Sequence, residues 1–353
     1  MQKERLQWLD ALRGFTMILV VLNHVAQKSL GQDPKVSMSL SMFLLFRMPL
    51  FFFVSGFLAY KASFIWTASN TLSLTWKKIK IQVLPALIFL CLFILLRSNI
   101  HFLDAFKASM HAPTKWGYWF TWVLLQMFII YYIFSYIESL FKKRSWIPIT
   151  ILWVISVVVY ATAYMPSWFK YPNDTFFKDT SLIETIYFFH FFLLGNIVHR
   201  YWDSWQRLFD SKWFVPIIII LATWGAGDYL NWHILRMQWA NLPRTIAMYS
   251  LMLLVVVFFR HYKDSFTKDK MLGRTMQYVG TRTLDIYLLH FIFLPTIPEI
   301  GTWLNTHRPL FLLDIGIDLC ITIPIVAVCL LTSNIIRTSP FLGEWLFGVK
   351  HKQ

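Results

Sequence analysis

Arg13 and His24 stand with ten residues between them in the apolar stretch that follows Asp10-Ala11-Leu12. Eleven helical steps of about 100° leave the two side chains within about 20° of one face, and about 16 Å apart along the axis. Ionisable groups at membrane depth are costly, so they point to a functional site. Histidine titrates near neutrality and is the usual general base. An interhelical hydrogen bond that only holds a bundle together is the alternative reading. Asn23, beside His24, adds a hydrogen-bonding group at the same depth.

Further residues of this kind recur along the chain. Arg47 sits in Phe46-Arg47-Met48-Pro49-Leu50-Phe51-Phe52-Phe53-Val54-Ser55-Gly56. A guanidinium inside a span needs an anion, a carbonyl or water, and here it suits a developing oxyanion. Snorkelling to the nearer surface is its structural alternative. Ser55 and Gly56 fit either a close helix crossing or a channel for a narrow ligand. Tyr287 and His290 are three residues apart, hence on one helical face, and fit a hydroxyl-bearing substrate or a bridge between helices. Lys77, Lys78 and Lys80 form a basic run suited to phosphates or to anionic lipid. His190 reads as structural, and Asp314 and Asp318 form a weaker acidic pair. No Walker loop, GxSxG elbow or HExxH motif is present, and no metal-ligand spacing is visible.

The elements that must position these groups are membrane spans. The chain has 353 residues, 57% hydrophobic and 14% charged, with mean hydropathy +0.53. Runs of about 17 to 25 apolar residues predict ten transmembrane helices in an all-α bundle. They fall at 11–28, 41–60, 81–98, 118–138, 146–164, 182–200, 213–231, 244–260, 283–300 and 310–336. Pro295 and Pro298 are placed to end or kink the ninth. No Gly/Ser/Pro linker interrupts the chain, which reads as one polytopic domain over residues 1–353.

The net charge of +15 lies in short clusters between apolar runs rather than along one soluble face, which argues against nucleic acid. Of the 33 Lys and Arg, twenty-one flank one side and ten the other, with Arg13 and Arg47 inside spans. The positive-inside rule therefore puts both termini in the cytoplasm of a multi-pass protein of the inner membrane. Arg13 then lies at the cytoplasmic end of the first span, His24 and Arg47 in the outer half, and His290 near mid-membrane. The first span lacks a cleavage site and reads as retained. Cys91, Cys320 and Cys329 fall in apolar runs and suggest no disulfide framework.

Together these segments resemble acyltransferase family 3, the integral-membrane O-acyltransferases. The likeness rests on Leu9-Asp10-Ala11-Leu12-Arg13-Gly14 with His24, on Met48 to Phe57, on Lys77 to Lys80 before Leu84-Pro85, and on Ile286-Tyr287-Leu288-Leu289-His290. The resemblance implies transfer of an acyl group, usually acetyl, from cytoplasmic acyl-CoA to a hydroxyl of a sugar or glycan. It implies functional roles for Arg13 and His24, and a donor-binding role for the basic run, where this chain has lysines in place of the usual arginines. Arg47 replaces a histidine common among sugar-modifying members. On this reading the catalytic set is His24, Arg13, Arg47 and His290. Lys77, Lys78, Lys80 and Arg13 bind the donor, and Ser55, Tyr287, Asp10 and Asn23 face substrate. His24 acts as base or carries the acyl group itself, and Arg47 or His290 steadies the oxyanion. Trp116, Trp119, Trp168 and Tyr171 stack on sugar rings or form an interfacial belt. The rival is a glycan or solute transporter without bond chemistry, which polar intramembrane residues also suit.

Overall fold

The computed structural model describes residues 6–34, 36–141, 146–164, 175–229, 241–307 and 310–348. Their regular structure is entirely helical, with no strand among them. In lipid every backbone N–H and C=O must be satisfied within the segment, and a helix does so. The helices are α1 (Gln7–His24), α2 (Met38–Ala59), α3 (Ala68–Lys78), α4 (Leu84–Arg97), α5 (Phe102–His111) and α6 (Trp119–Leu140). Next come α7 (Ile147–Tyr164), α8 (Thr175–Thr180), α9 (Leu182–Arg200), α10 (Trp202–Phe209), α11 (Phe214–Tyr229) and α12 (Asn241–His261). The chain closes with α13 (Met271–Thr281), α14 (Thr283–Phe293), α15 (Pro298–His307), α16 (Phe311–Thr338) and α17 (Pro340–Phe347).

Among the described residues, 7 helices are long and apolar enough to cross a membrane, or 9 if each of two bent pairs is one span. The protein is thus an all-α membrane protein. The expected ninth span is one bent pair: α14 and α15 meet at 97°. Pro298 opens α15 and cannot donate to the preceding turn, while the freed Ile297 N–H donates to the Ser29 carbonyl at 2.8 Å. The expected seventh span is the other, with α10 and α11 at 80°. The fifth corresponds to a shorter apolar helix, Ile147–Tyr160. The third is longer than its apolar run, a continuous helix over Ala68–Arg97. The basic run therefore lies inside a helix and not in a loop.

The chain groups into two compact units, Met1–Val54 with Trp202–Thr332, and Ser55–Tyr201 with Ser333–Gln353. Two of the changeovers fall inside helices, between Val54 and Ser55 in α2 and between Thr332 and Ser333 in α16. No composition shift marks such a boundary.

In the first unit α1 lies against α13. A Cβ on Gly14 would come within 2.0 Å of the Met276 carbonyl oxygen, and one on Gly280 within 1.8 Å of the Asp10 carbonyl oxygen. Each glycine thus receives the other helix's backbone, the small-residue contact by which membrane helices approach closely. In the second unit Gly56 meets the Phe192 backbone of α9 in the same way, at 1.8 Å. The Ser55-Gly56 pair therefore marks a close helix crossing. α17 packs on α4 through Phe347 and Phe89, whose rings stack at 6.0 Å.

Candidate functional site

The sequence-predicted polar residues of α1 and α14, with Arg47 of α2, belong to the first unit. His24 ends α1 and is followed by a π-helical turn, Val25–Ser29. Single π turns break the regular ladder and recur at functional positions. The His24 ring lies 5.2 Å from that of His290, centroid to centroid, and 4.8 Å from Phe291. His290 is fully buried, and the Tyr287 ring is 6.1 Å away. The expected juxtaposition of Tyr287 and His290 is present, and α14 brings both to the end of α1.

The hydrogen bonds fix how these rings present themselves. His290 Nδ1 is 3.0 Å from the Ile286 carbonyl oxygen. A carbonyl only accepts, so Nδ1 carries the proton and Nε2 of the neutral ring presents a lone pair. That Nε2 is buried and without a hydrogen-bond partner, as are His24 Nδ1, Asn23 Oδ1 and Arg47 Nε. Buried polar atoms are seldom left unsatisfied, so four on neighbouring elements mark a place shaped for something polar. Arg47 and Lys28 are the cationic side chains that act electrostatically on His24. Arg47 is only 9% exposed, so it does not snorkel.

Arg13 stands at the other end of α1. One guanidinium nitrogen contacts Asp10 Oδ1 at 3.3 Å and the other donates to Thr283 Oγ1 at 3.1 Å. Asp10 thus orients the arginine, and Thr283 ties it to the first residue of α14. The same helix pair therefore carries Arg13 at one end and the two histidines at the other. Gly14 and Gly280 hold α1 against the helix that precedes α14.

Ser55, Lys77, Lys78 and Lys80 belong to the second unit. Ser55 is half-buried beside the Gly56 crossing. Lys77 and Lys78 close α3, and Lys80 lies in a second π-helical turn, Ile79–Val83. Lys78 Nζ sits 3.7 Å over the Phe128 ring and Lys80 Nζ 5.4 Å over Trp76. The second unit also holds a cavity of about 580 Å³, lined among others by Tyr60, Lys61, Phe64, Trp66, Glu138 and Arg200. These residues lie at or just past the ends of the second, fourth and sixth expected spans. Arg200 donates to Glu138 at 2.8 Å, both largely buried. The Lys61 ammonium is pulled below the usual lysine range, first by desolvation and then by Lys77. The residue as a whole remains exposed.

Sequence reasoning missed this cavity, because Lys61 and Arg200 read as ordinary charges at span ends. It also missed Thr283 as the partner of Arg13. His190 packs at 4.7 Å on the Tyr160 ring, in keeping with a structural role. Trp119 stacks on Phe188 at 5.9 Å, and Trp116 lies in a short turn, Lys115–Gly117. Trp168 and Tyr171 lie outside the described residues.

Two buried histidine rings in contact, with an arginine acting on one of them, are groups of the kind that transfer protons. The model of a family described as an acyltransferase domain matches residues 6–334, and the chain belongs to that family, acyltransferase family 3. It is accordingly a membrane acyltransferase. Neither the curated proteins nor the solved structures give a match.

Proposed function

We propose that the chain is an O-acyltransferase of the cell membrane, moving an acyl group, acetyl in the first place, from acyl-CoA to a hydroxyl of a carbohydrate. The observation that carries this reading is the His24–His290 pair, each ring with one nitrogen buried and unpartnered, and Arg47 acting electrostatically on His24.

In the proposed step, the acceptor hydroxyl oxygen attacks the thioester carbonyl carbon while His24 takes the hydroxyl proton. The carbonyl π electrons move onto oxygen, and the oxyanion is stabilised by a cation. Arg47 supplies it: a His290 ring whose N–H is held by the Ile286 carbonyl offers a lone pair and cannot donate to an oxyanion. His290 Nε2 instead accepts a hydrogen bond from a second, non-reacting hydroxyl of the carbohydrate and so orders the acceptor. Collapse of the tetrahedral intermediate breaks the C–S bond, and the proton on His24 passes to the departing thiolate. Atoms and charge balance to an ester and free CoA.

The basic residues of the second unit suit the donor. Lys61 lines the cavity with Arg200, Phe64 and Trp66, and Lys77 acts electrostatically on Lys61. Cations recognise phosphates, and aromatic faces suit a nucleobase. The K/R distribution puts this end in the cytoplasm, where acyl-CoA is found.

The test is release of free thiol from acetyl-CoA by the purified protein in detergent, with the host's glycan fraction as acceptor. Thiol release that depends on the glycan supports the reading. A transporter releases none with any acceptor, and that result overturns it.

A further inference from the structure

A second buried polar cluster lies in the first unit, apart from the histidine pair. α16 places Asp314, Asp318 and Thr322 four residues apart, hence on one face. Facing them is the stretch after α1. Gln32 Nε2 donates to Asp318 Oδ1 at 2.9 Å. Ser37 Oγ donates to Asp314 Oδ2 at 2.7 Å, and Ser39 Oγ donates to the same oxygen. Asp318 and Thr322 are fully buried, and Gln32 and Asp314 are only 4% exposed.

The two carboxylates are satisfied unequally. Asp314 has two serine hydroxyls, whereas Asp318 Oδ2 has no partner. Two further oxygens, one on its contact partner and one a turn along its own helix, are also buried and unpartnered: Gln32 Oε1 and Thr322 Oγ1. Among the described residues no cationic side chain forms an ion pair with either aspartate. A buried carboxylate without a counter-charge is strongly unfavourable, and a second one a helical turn away makes it worse. Every unpartnered atom here is an oxygen, with no histidine or cysteine among them. Oxygen-only sets with a carboxylate are the ligands of hard cations. One under-satisfied carboxylate matches a single positive charge.

We propose that Asp318, Gln32 and Thr322 form a binding site for a sodium ion that locks the stretch after α1 onto α16. The site is independent of the acyl-transfer reading, because it needs neither donor nor acceptor.

The experiment is thermal unfolding of the purified full-length protein in detergent, with sodium chloride replaced by choline chloride at a constant ionic strength of about 0.15 M. A ligand that binds only the folded state raises the melting temperature with its concentration. The expected result is a rise of several degrees in sodium, lost in Asp318→Asn. Thr322→Val should need about tenfold more sodium for the same rise. It carries the test if Asp318→Asn does not fold. Equal melting in sodium, potassium, calcium and choline overturns the proposal, as does a response to calcium alone. An Asp318→Asn protein that melts higher than wild type and ignores sodium also overturns it, since the carboxyl then carries a proton.

Discussion

Gly14→Ala tests how the site is positioned. A Cβ at residue 14 would stand 2.0 Å from the Met276 carbonyl oxygen and 3.0 Å from Gly280 N, whereas ordinary contact begins at 3.4 Å. The obstacle is backbone on both counts, so no side chain can swing away. Helix α1 must retreat from α13 by about 1.4 Å, and overpacking of this kind costs about 1–3 kcal/mol. For a protein of this size that lowers the apparent melting temperature by roughly 1–4 °C. The chemistry should suffer more than the stability. α1 carries both Arg13 and His24, and a misplacement of about 1 Å costs on the order of 100-fold in rate. The assay pairs thermal unfolding in detergent with acetyl transfer by the same preparation. Gly316→Ala is the control, because a Cβ there meets nothing within 4 Å. It should keep full activity and gain slightly in helix stability. Wild-type melting and activity in Gly14→Ala would refute the close-crossing argument.

Two further outcomes follow from named contacts. Arg47→Gln should lower kcat about 100- to 1000-fold with little change in acceptor KM, and Arg47→Lys should recover only part, as steady-state kinetics would reveal. Lys61→Gln should raise the KM for acetyl-CoA about tenfold and leave kcat nearly unchanged. The lowered pKa of Lys61 gives this contact a pH dependence. The charge is full well below the pKa and is lost as pH rises through it, so donor KM should climb at a pH below the ordinary lysine value of 10.5. That climb should be absent in Lys61→Gln, and an identical pH profile in both proteins would contradict the assignment.

Much of this was legible in the sequence because lipid makes its own demands visible. Apolar runs of spanning length have few alternatives to helix, and charges within them stand out. Arg13, His24, Arg47 and His290 were found this way, along with the break expected at Pro295 and Pro298. The partners were not legible. Thr283 lies 270 residues from Arg13, and nothing in its neighbours marks it as the hydroxyl that would fasten a guanidinium. Gly14 and Gly280 are each unremarkable alone, and only the crossing of α1 and α13 shows why a side chain is excluded. The cavity residues Lys61 and Arg200 were hidden by their resemblance to positive-inside anchors. The lysine run read as a loop because charges usually end spans, whereas Ala68–Arg97 continues as one helix through a π turn.

The histidine pair is tested most directly by transfer of labelled acetyl from acetyl-CoA to host glycan in membranes containing wild type, His24→Ala, His290→Ala or the double variant at equal protein level. If His24 is the base, its loss should cost about 100- to 10,000-fold. The double variant should be little worse than His24→Ala, because the two rings act in one step. Transfer at the wild-type rate by the double variant would contradict the account.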